Sequence, residues 1–224
     1  MKIKLSERMK TIADMVIPGS SAADIGTDHG YIPAYLLSED ICPDVILTDI
    51  AEGPLDKARL HFERYGLEGD FRLGRGLEVI NDGEVSTVII AGMGGETIID
   101  ILNNDIVKTH SFERIILQPR TFVKELRTWL TVNGFRFVDY RLCRERKLLC
   151  EVFAVENGNS DELDEGFVST FLLKKGDPLL EEYLARELKS RKDILTELSK
   201  SKKDNGKLIA RLKEESQYLE KLIK

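Results

Sequence analysis

Over the first 158 residues, short runs of β-branched and apolar residues alternate with longer stretches of helical periodicity. This alternation predicts right-handed β-α-β crossovers and therefore a parallel sheet. The last two runs are separated only by residues 144–147, and because so short a connection cannot join parallel strands, they must form an antiparallel hairpin. The predicted strands are Ala22–Gly26, Val45–Ile50, Asp70–Leu73, Thr87–Met93, Arg114–Gln118, Arg136–Cys143 and Leu148–Val155. We therefore predict an α/β fold whose sheet ends in an antiparallel strand.

A second region begins at the turn-forming residues Asn157–Ser160, after which the strand signals end. Apolar side chains, mostly leucine, then recur at helical spacings over 180–198 and again over 208–223. The polar segment 202–206 separates the two helical patterns. We therefore predict two domains, an α/β domain over residues 1–158 and a coiled-coil-like α-helical hairpin over residues 159–224.

The composition of the 224 residues, with 42% hydrophobic and 32% charged side chains, is that of a folded globular chain. No apolar run is long enough to cross a membrane, and the first residues lack the pattern of a signal peptide. The three cysteines and three histidines are scattered without the spacing of a metal site. We expect a cytoplasmic protein with no membrane or metal partner.

A glycine-containing turn follows the first predicted strand, in the sequence Asp-Ile-Gly-Thr-Asp-His-Gly-Tyr that starts at Asp24. Gly26 and Gly30 allow the backbone to turn sharply and to approach a ligand closely. Asp28 stands between them, where it would repel a pyrophosphate and attract an ammonium group. The turn therefore favours a cofactor with an amino-acid portion, the alternative being a glycine turn without a ligand.

Two further segments are predicted to complete a nucleoside pocket. Asp49 ends the second strand, where a carboxylate can accept hydrogen bonds from both hydroxyls of a ribose. The segment Gly74–Leu77 follows the third strand and is expected to border the adenine. Asp49 alone is a weak signal because acidic residues often follow strands, but its distance from the glycine turn strengthens it.

The fourth strand ends in Ala-Gly-Met-Gly-Gly over Ala91–Gly95. Small residues at this point leave a floor on which a substrate can approach the reactive atom of a cofactor. Gly94 and Gly95 are also expected to begin the next helix with free N–H groups. The alternative is a glycine-rich bend that only eases packing.

In their order along the chain, these motifs resemble the bacterial TrmK family of tRNA adenine N1-methyltransferases, which act at position 22 of the tRNA. The resemblance extends over the whole chain and includes Ser6–Arg8, the run from Asp24 to Pro33, Thr48–Ile50, Ala91–Gly95 and Leu117–Arg120. It implies a Rossmann-like class I methyltransferase sheet with an antiparallel last strand, which binds S-adenosylmethionine, followed by a C-terminal helical hairpin.

The resemblance also implies which residues form the site. Those expected to bind S-adenosylmethionine are Asp24, Gly26, Asp28, His29, Gly30, Asp49, Ile50, Gly76, Leu77, Ala91, Gly92 and Met93. Those expected at the methyl-transfer position are Gly92, Met93, Gly94, Gly95 and Gln118. The chain departs from the family at Arg75, where aspartate is usual, and at Arg144–Glu151, which is more basic and lacks a tyrosine.

The expected macromolecular partner is tRNA, bound through local basic patches because the net charge of −6 disfavours indiscriminate binding of nucleic acid. The candidate phosphate contacts are Arg8, Arg120, Lys124, Arg127, Arg144, Arg146 and Lys147, each of which is otherwise ordinary surface charge. We expect a monomer or a weak homodimer.

Other functions stay open at this level. A small-molecule or protein methyltransferase would use the same cofactor turn without needing basic patches. An inactive cofactor-binding module could use the helical hairpin as a dimer contact. An NAD-dependent oxidoreductase is disfavoured by Asp28 in the glycine turn and by the closing antiparallel hairpin.

Overall fold

The computed structural model describes residues 2–160, 164, 166–200 and 205–223, and within them seven strands form one mixed sheet. The strands are β1 (Ala22–Ile25), β2 (Val45–Asp49), β3 (Asp70–Leu73), β4 (Thr87–Met93), β5 (Arg114–Pro119), β6 (Phe135–Glu145) and β7 (Leu148–Asn157). Their order across the sheet is β3-β2-β1-β4-β5-β7-β6. The pairs from β3 to β5 are parallel, and β7 is antiparallel to both β5 and β6. The predicted fold class, with its antiparallel insertion, is confirmed.

Helices cover both faces of this sheet. They are α1 (Glu7–Ala13), α2 (Tyr31–Ser38), α3 (Glu52–Tyr65), α4 (Gly95–Asn104), α5 (Ile106–Thr109) and α6 (Val123–Val132). Helix α2 contacts α1 and α3 in one layer, and α4 contacts α5 and α6 in another. Because both faces are covered, β1 and the first four residues of β4 are buried, and Val88, Ile89 and Ile90 are fully buried.

Local sequence signals set the ends of the helices that border the site. Ser6 caps α1, because its side-chain oxygen accepts a hydrogen bond from the Met9 backbone N–H at 3.3 Å. Gly30 precedes α2 in the left-handed conformation, and Gly66 ends α3 in the same conformation. The crossovers therefore bring the starts of α2 and α4 to the carboxyl ends of the strands.

The chain divides into two compact units, Met1–Phe171 and Leu172–Lys224. Helix α7 (Thr170–Lys175) spans the division, and the second unit continues with α8 (Leu180–Lys200) and α9 (Gly206–Leu222). Ion pairs join α8 to α9, with Arg191 Nε 3.2 Å from Glu215 Oε2 and Lys192 Nζ 2.7 Å from Glu220 Oε1. In the predicted break at 202–206, residues 202–204 lie outside the described part of the chain. Across that described part, every helix is too short or too polar to traverse a bilayer.

Arg127, predicted to be a phosphate contact, is instead an interior residue of the first unit. Its residue surface is 1% exposed, and its Nη1 lies 3.1 Å from Asp164 Oδ1. Its Nη2 donates hydrogen bonds to the carbonyls of Gly166 and Phe167 at 2.9 and 3.2 Å. A guanidinium used in this way has no surface to offer to RNA, so the predicted contact at Arg127 is wrong. Sequence spacing alone did not reveal that Asp164 folds back onto α6.

The first prediction concerns this buried ion pair. Arg127→Ala should lower the free energy of unfolding by about 3 kcal/mol, because it leaves the Asp164 carboxylate buried without its main partner. The measurement is urea unfolding followed by circular dichroism. Lys124→Ala, an exposed position on the same helix, is the matched control and should change stability by less than about 0.5 kcal/mol. Equal effects of the two substitutions would contradict the structural role.

Candidate functional site

A cavity of about 570 Å³ lies at the carboxyl ends of β1, β2 and β4. Ligands of open α/β sheets bind at this edge, and the volume is in the range of small-molecule sites. The cavity brings together residues predicted from separate motifs: Asp24, Gly26, Asp28, His29, Asp49, Ile50, Gly76, Ala91, Gly92 and Met93. Arg8 and Arg120, predicted to contact RNA, also line it.

The turn after β1 is shaped by left-handed backbone. Gly26, Asp28 and Gly30 have φ angles of +77°, +49° and +65°. The backbone N–H groups of Gly26 and Thr27 donate to the Thr48 carbonyl at 2.8 and 3.0 Å, which ties the turn to β2. Glycine is favoured at Gly26 because its backbone is left-handed, whereas an added Cβ there would meet the end of the flexible Met93 side chain, which can move.

Asp24 provides a buried carboxylate in the wall of the cavity. Its Oδ2 accepts a hydrogen bond from the Thr27 hydroxyl at 2.6 Å. Burial raises the pKa of this carboxyl to about 6, while the Thr27 hydrogen bond and the nearby Arg8 charge act in the opposite direction. A cationic ligand group entering the cavity would favour the ionised form of Asp24.

The end of β2 presents one polar and one apolar side chain to the cavity. The Asp49 carboxylate accepts a hydrogen bond from the Ala51 N–H at 3.0 Å, and the Asp49 carbonyl accepts one from the Gly74 N–H at 2.9 Å. The second bond brings the segment after β3, with Arg75 and Gly76, to the same wall. Ile50 is 75% exposed, so the cavity has an apolar surface beside the carboxylate of Asp49.

Asp28 and His29 lie at the mouth of the cavity. The Asp28 carboxylate is 3.5 Å from Lys57 Nζ and 3.6 Å from His29 Nε2, and all three side chains are about half exposed. The Asp28–Lys57 ion pair is exposed to solvent, and such pairs contribute little to stability. Asp28 is therefore available to a ligand without dismantling a buried network.

The floor of the site is formed where β4 meets the end of β5. Ala91 pairs with Gln118 and Met93 with Pro119, so Gly92 is an extra residue in a bulge and has a φ of +78°. The Arg120 N–H donates to the Met93 carbonyl, and the Gly95 N–H donates to the Thr121 carbonyl, both at 2.8 Å. These bonds hold the loop after β5 against the glycine-rich segment.

Several predicted site residues shape the walls from behind instead of lining the cavity. Leu77 is buried, and Gly30 packs towards Leu47, Ala58 and Phe62. Gly95 is buried against the Thr121 and Phe122 carbonyls, and Gly94 lies beside Thr121.

Gln118 also lies behind the cavity and is only 2% exposed. Its Oε1 accepts a hydrogen bond from Arg8 Nη1 at 3.1 Å, and its Nε2 donates to the Pro119 carbonyl at 2.9 Å. The Arg8 side chain is 14% exposed, and its Nε is 3.3 Å from Glu145 Oε2. Arg8 is thus shared between the cavity wall and an internal network.

The other basic residues lie farther along the chain. Lys124 is exposed on the first turn of α6, and Arg146 and Lys147 are exposed between β6 and β7. Arg144 is half-buried, and its backbone N–H donates to the Glu7 carboxylate at 2.8 Å.

Sequence reasoning missed several residues that line the cavity: Met9, Thr27, Tyr31, Thr97, Asp100 and Ile101. Thr27 and Tyr31 belong to the glycine turn, so the motif itself contained their signal. Thr97, Asp100 and Ile101 lie on the first two turns of α4. They could have been found from the rule that the helix after a central strand starts at the ligand edge.

Comparison with known proteins agrees with this geometry. Residues 5–153 match the family described as methyltransferase domain. The tRNA (adenine(22)-N(1))-methyltransferase of Bacillus subtilis (strain 168) is 32% identical over 209 residues, which cover 89% of this chain and 88% of that protein.

Two similar solved structures contain the methyl donor or its product. TrmK from M. capricolum in complex with S-adenosyl-homocysteine, its natural cofactor product, is 27% identical, with a TM-score of 0.81 over 98% of this chain and 97% of that chain. A Streptococcus pneumoniae protein in complex with S-adenosyl-L-methionine is 28% identical, with a TM-score of 0.87 over 99% of this chain and 100% of that chain. These findings confirm the resemblance on which the sequence interpretation depended, and the chain belongs to the tRNA (adenine(22)-N(1))-methyltransferase family.

Proposed function

We propose that this protein transfers a methyl group from S-adenosylmethionine to N1 of adenine 22 in tRNA. The main support for this proposal is the cavity at the carboxyl ends of β1, β2 and β4, which is lined by Asp24, Asp49 and the glycine-rich end of β4. Membership of the methyltransferase family supports the reaction class. A protein acting on tRNA would work in the cytoplasm, and we propose a monomer or a weak homodimer.

The residues of the cavity fit the parts of S-adenosylmethionine. We assign Asp24 and Asp28 to its positively charged methionine end, because carboxylates on that side offset an ammonium and a sulfonium charge. Asp49 would accept hydrogen bonds from the ribose hydroxyls, and the exposed Ile50 side chain would cover the adenine. At position 75 an arginine cannot accept a hydrogen bond from the adenine amino group, so this edge of the base depends on backbone groups near Gly76.

The cofactor supplies an electrophilic methyl group, and N1 of neutral adenine already carries the lone pair that accepts it. No residue has to remove a proton before attack, so the protein's contribution is placement and exclusion of water. The bulge at Gly92, which lines the cavity without a side chain, leaves room for a base above the floor. Gln118, buried behind the floor, orients the Pro119 carbonyl and Arg8 and does not touch the base itself.

A base inside folded tRNA must leave its stack to reach this floor. Arg120 lines the cavity and is placed to contact the phosphate of the flipped nucleotide. Lys124 on α6, and Arg144, Arg146 and Lys147 around the β6–β7 turn, are proposed as phosphate contacts farther out.

The direct test is to incubate the purified protein with unmodified bacterial tRNA and radiolabelled S-adenosylmethionine. Digestion of the product should yield label in N1-methyladenosine, and an adenine-22→guanine tRNA, the matched control, should accept none. Transfer to another nucleoside, or cofactor binding without transfer to tRNA, would overturn the proposal in favour of another substrate or an inactive module.

The raised pKa of Asp24 predicts that cofactor affinity depends on pH. Below pH 6 the Asp24 carboxyl is protonated and cannot attract a cation. The Kd for S-adenosylmethionine should therefore fall about tenfold between pH 5 and pH 7 and stay constant as the pH rises further above 7. Isothermal titration calorimetry measures this dependence. Asp24→Asn should bind more weakly and show a nearly flat profile, whereas an unchanged slope in the variant would assign the titration to another group.

Gly94 predicts a separation between binding and turnover. Its backbone angles are allowed for any residue, but an added Cβ would lie 3.1 Å from Thr121 Oγ1 and 3.8 Å from Thr97 Oγ1, so a larger side chain would push against Thr97, which lines the cavity. Gly94→Val should reduce kcat by at least about a hundredfold while the Kd for S-adenosylmethionine changes less than about threefold. Gly53→Val, at a glycine on α3 with open space around it, is the control and should retain activity. Equal loss of binding and turnover in Gly94→Val would argue against a substrate floor.

A further inference from the structure

Phe122 combines two features that are unfavourable for the stability of the fold. Its φ is +52°, a left-handed conformation that bulky residues rarely adopt, and it is 48% exposed. By contrast, Phe112, Phe135 and Phe153 are at most 2% exposed and belong to the core. Strained backbone that persists at a ligand-binding edge commonly has a functional reason.

The strained conformation is held by the glycine-rich floor. The Gly95 N–H donates to the Thr121 carbonyl at 2.8 Å, and any side chain at Gly95 would collide with the Phe122 carbonyl. The same carbonyl accepts a hydrogen bond from the Leu126 N–H at 3.1 Å, which begins α6. The backbone of Phe122 is therefore pinned between the start of α4 and the start of α6.

This position is next to the place where the methyl acceptor must lie. Arg120, two residues earlier, lines the cavity, and its guanidinium is 3.6 Å from where a Cβ of Gly92 would be. Reacting atoms have to come within roughly 3–3.5 Å of each other, so an adenine in line with the cofactor occupies the space over Gly92–Gly94. Arg120 lines that space, and Thr121 and Phe122 follow it directly along the chain.

We propose that the Phe122 ring is a stacking surface for the target adenine after it leaves the tRNA. This inference deepens the proposed function and rests on it. An extruded base loses its stacking neighbours, and aromatic side chains are the groups that replace them in single-stranded RNA recognition. Arg120 before the ring and Lys124 after it supply positive charge for the flanking phosphates. Phe122 is thus a substrate-binding residue that no cofactor motif contains.

The test compares substitutions that separate the ring from the backbone strain. Phe122→Leu keeps an apolar side chain without an aromatic face and should raise the KM for tRNA about tenfold, while the Kd for S-adenosylmethionine stays constant. Phe122→Tyr keeps the ring and should retain a KM within about twofold. Val132→Ala, at a 62% exposed position at the other end of α6, is the matched control and should change neither constant.

Two further readouts exclude a purely structural or electrostatic role. Phe122→Gly removes the strain and the ring together, so its Tm should equal or exceed that of the unmodified protein while its KM for tRNA rises as in Phe122→Leu. Loss of stacking should leave the slope of log Kd for tRNA against log salt unchanged, whereas Arg120→Gln should reduce that slope by about one.

The outcomes separate the two proposals. If the unmodified protein transfers no methyl group to tRNA, the proposed function fails and takes this inference with it. If it does transfer methyl, and Phe122→Leu has an unchanged KM or Phe122→Gly has a clearly lowered Tm, the inference alone is overturned. A raised KM in Phe122→Leu, restored in Phe122→Tyr at constant cofactor affinity, supports it.

Discussion

Short backbone hydrogen bonds between neighbouring strand ends are the constraint on which the site depends. The turn after β1 is tied to Thr48 on β2, and the segment after β4 is tied to the loop after β5 through Met93 and Thr121. At Gly95 an added Cβ would collide with the backbone carbonyls of Thr121 and Phe122, so a side chain is excluded there, whereas at Gly26 the φ of +77° is what favours glycine. Glycine is therefore needed at Gly95 because two backbones pack directly together there, and it is favoured at Gly26 because the backbone is left-handed.

Charge at this edge is arranged so that a cationic ligand improves it. Asp24 is buried with its pKa raised to about 6, which means that ionisation of this carboxyl costs stability in the free protein at neutral pH. Arg8 offsets part of that cost and also joins Gln118 and Glu145, so α1 is attached to the ends of β5 and β6. A sulfonium and an ammonium placed near Asp24 would offset the cost of ionising this buried carboxyl.

The side of the site proposed for the substrate differs in charge and side-chain type from the side proposed for the cofactor. The cofactor wall is acidic and concave, whereas the loop after β5 presents Arg120, Phe122 and Lys124 within five residues. Aromatic and cationic groups suit a base and its phosphates, while carboxylates suit the methionine end of the donor. The two sets lie on either side of Gly92, which lines the cavity without a side chain.

The sequence by itself determined those features that depend on residues close together in the chain. Periodicity and β-branching located every strand to within two residues, and β3 and β4 were predicted with the bounds that they have. The short connection 144–147 required an antiparallel hairpin whatever the rest of the chain did. The glycine turn, Asp49 and the glycine-rich floor were identified because each motif follows its own strand, and parallel strands end at one edge.

Tertiary structure decided the burial and the partners of side chains that contact distant segments of the chain. Arginine is usually a surface residue, and Arg127 is buried here because Asp164 packs against α6 and forms an ion pair with it. Gln118 was expected at the reacting atoms, yet Arg8 and the Pro119 carbonyl take up its amide behind the wall. The left-handed backbone of Phe122 packs against Gly95, which is 27 residues away along the chain. Periodicity and motif spacing report on local conformation, whereas burial and partner choice are set by which distant backbones pack together.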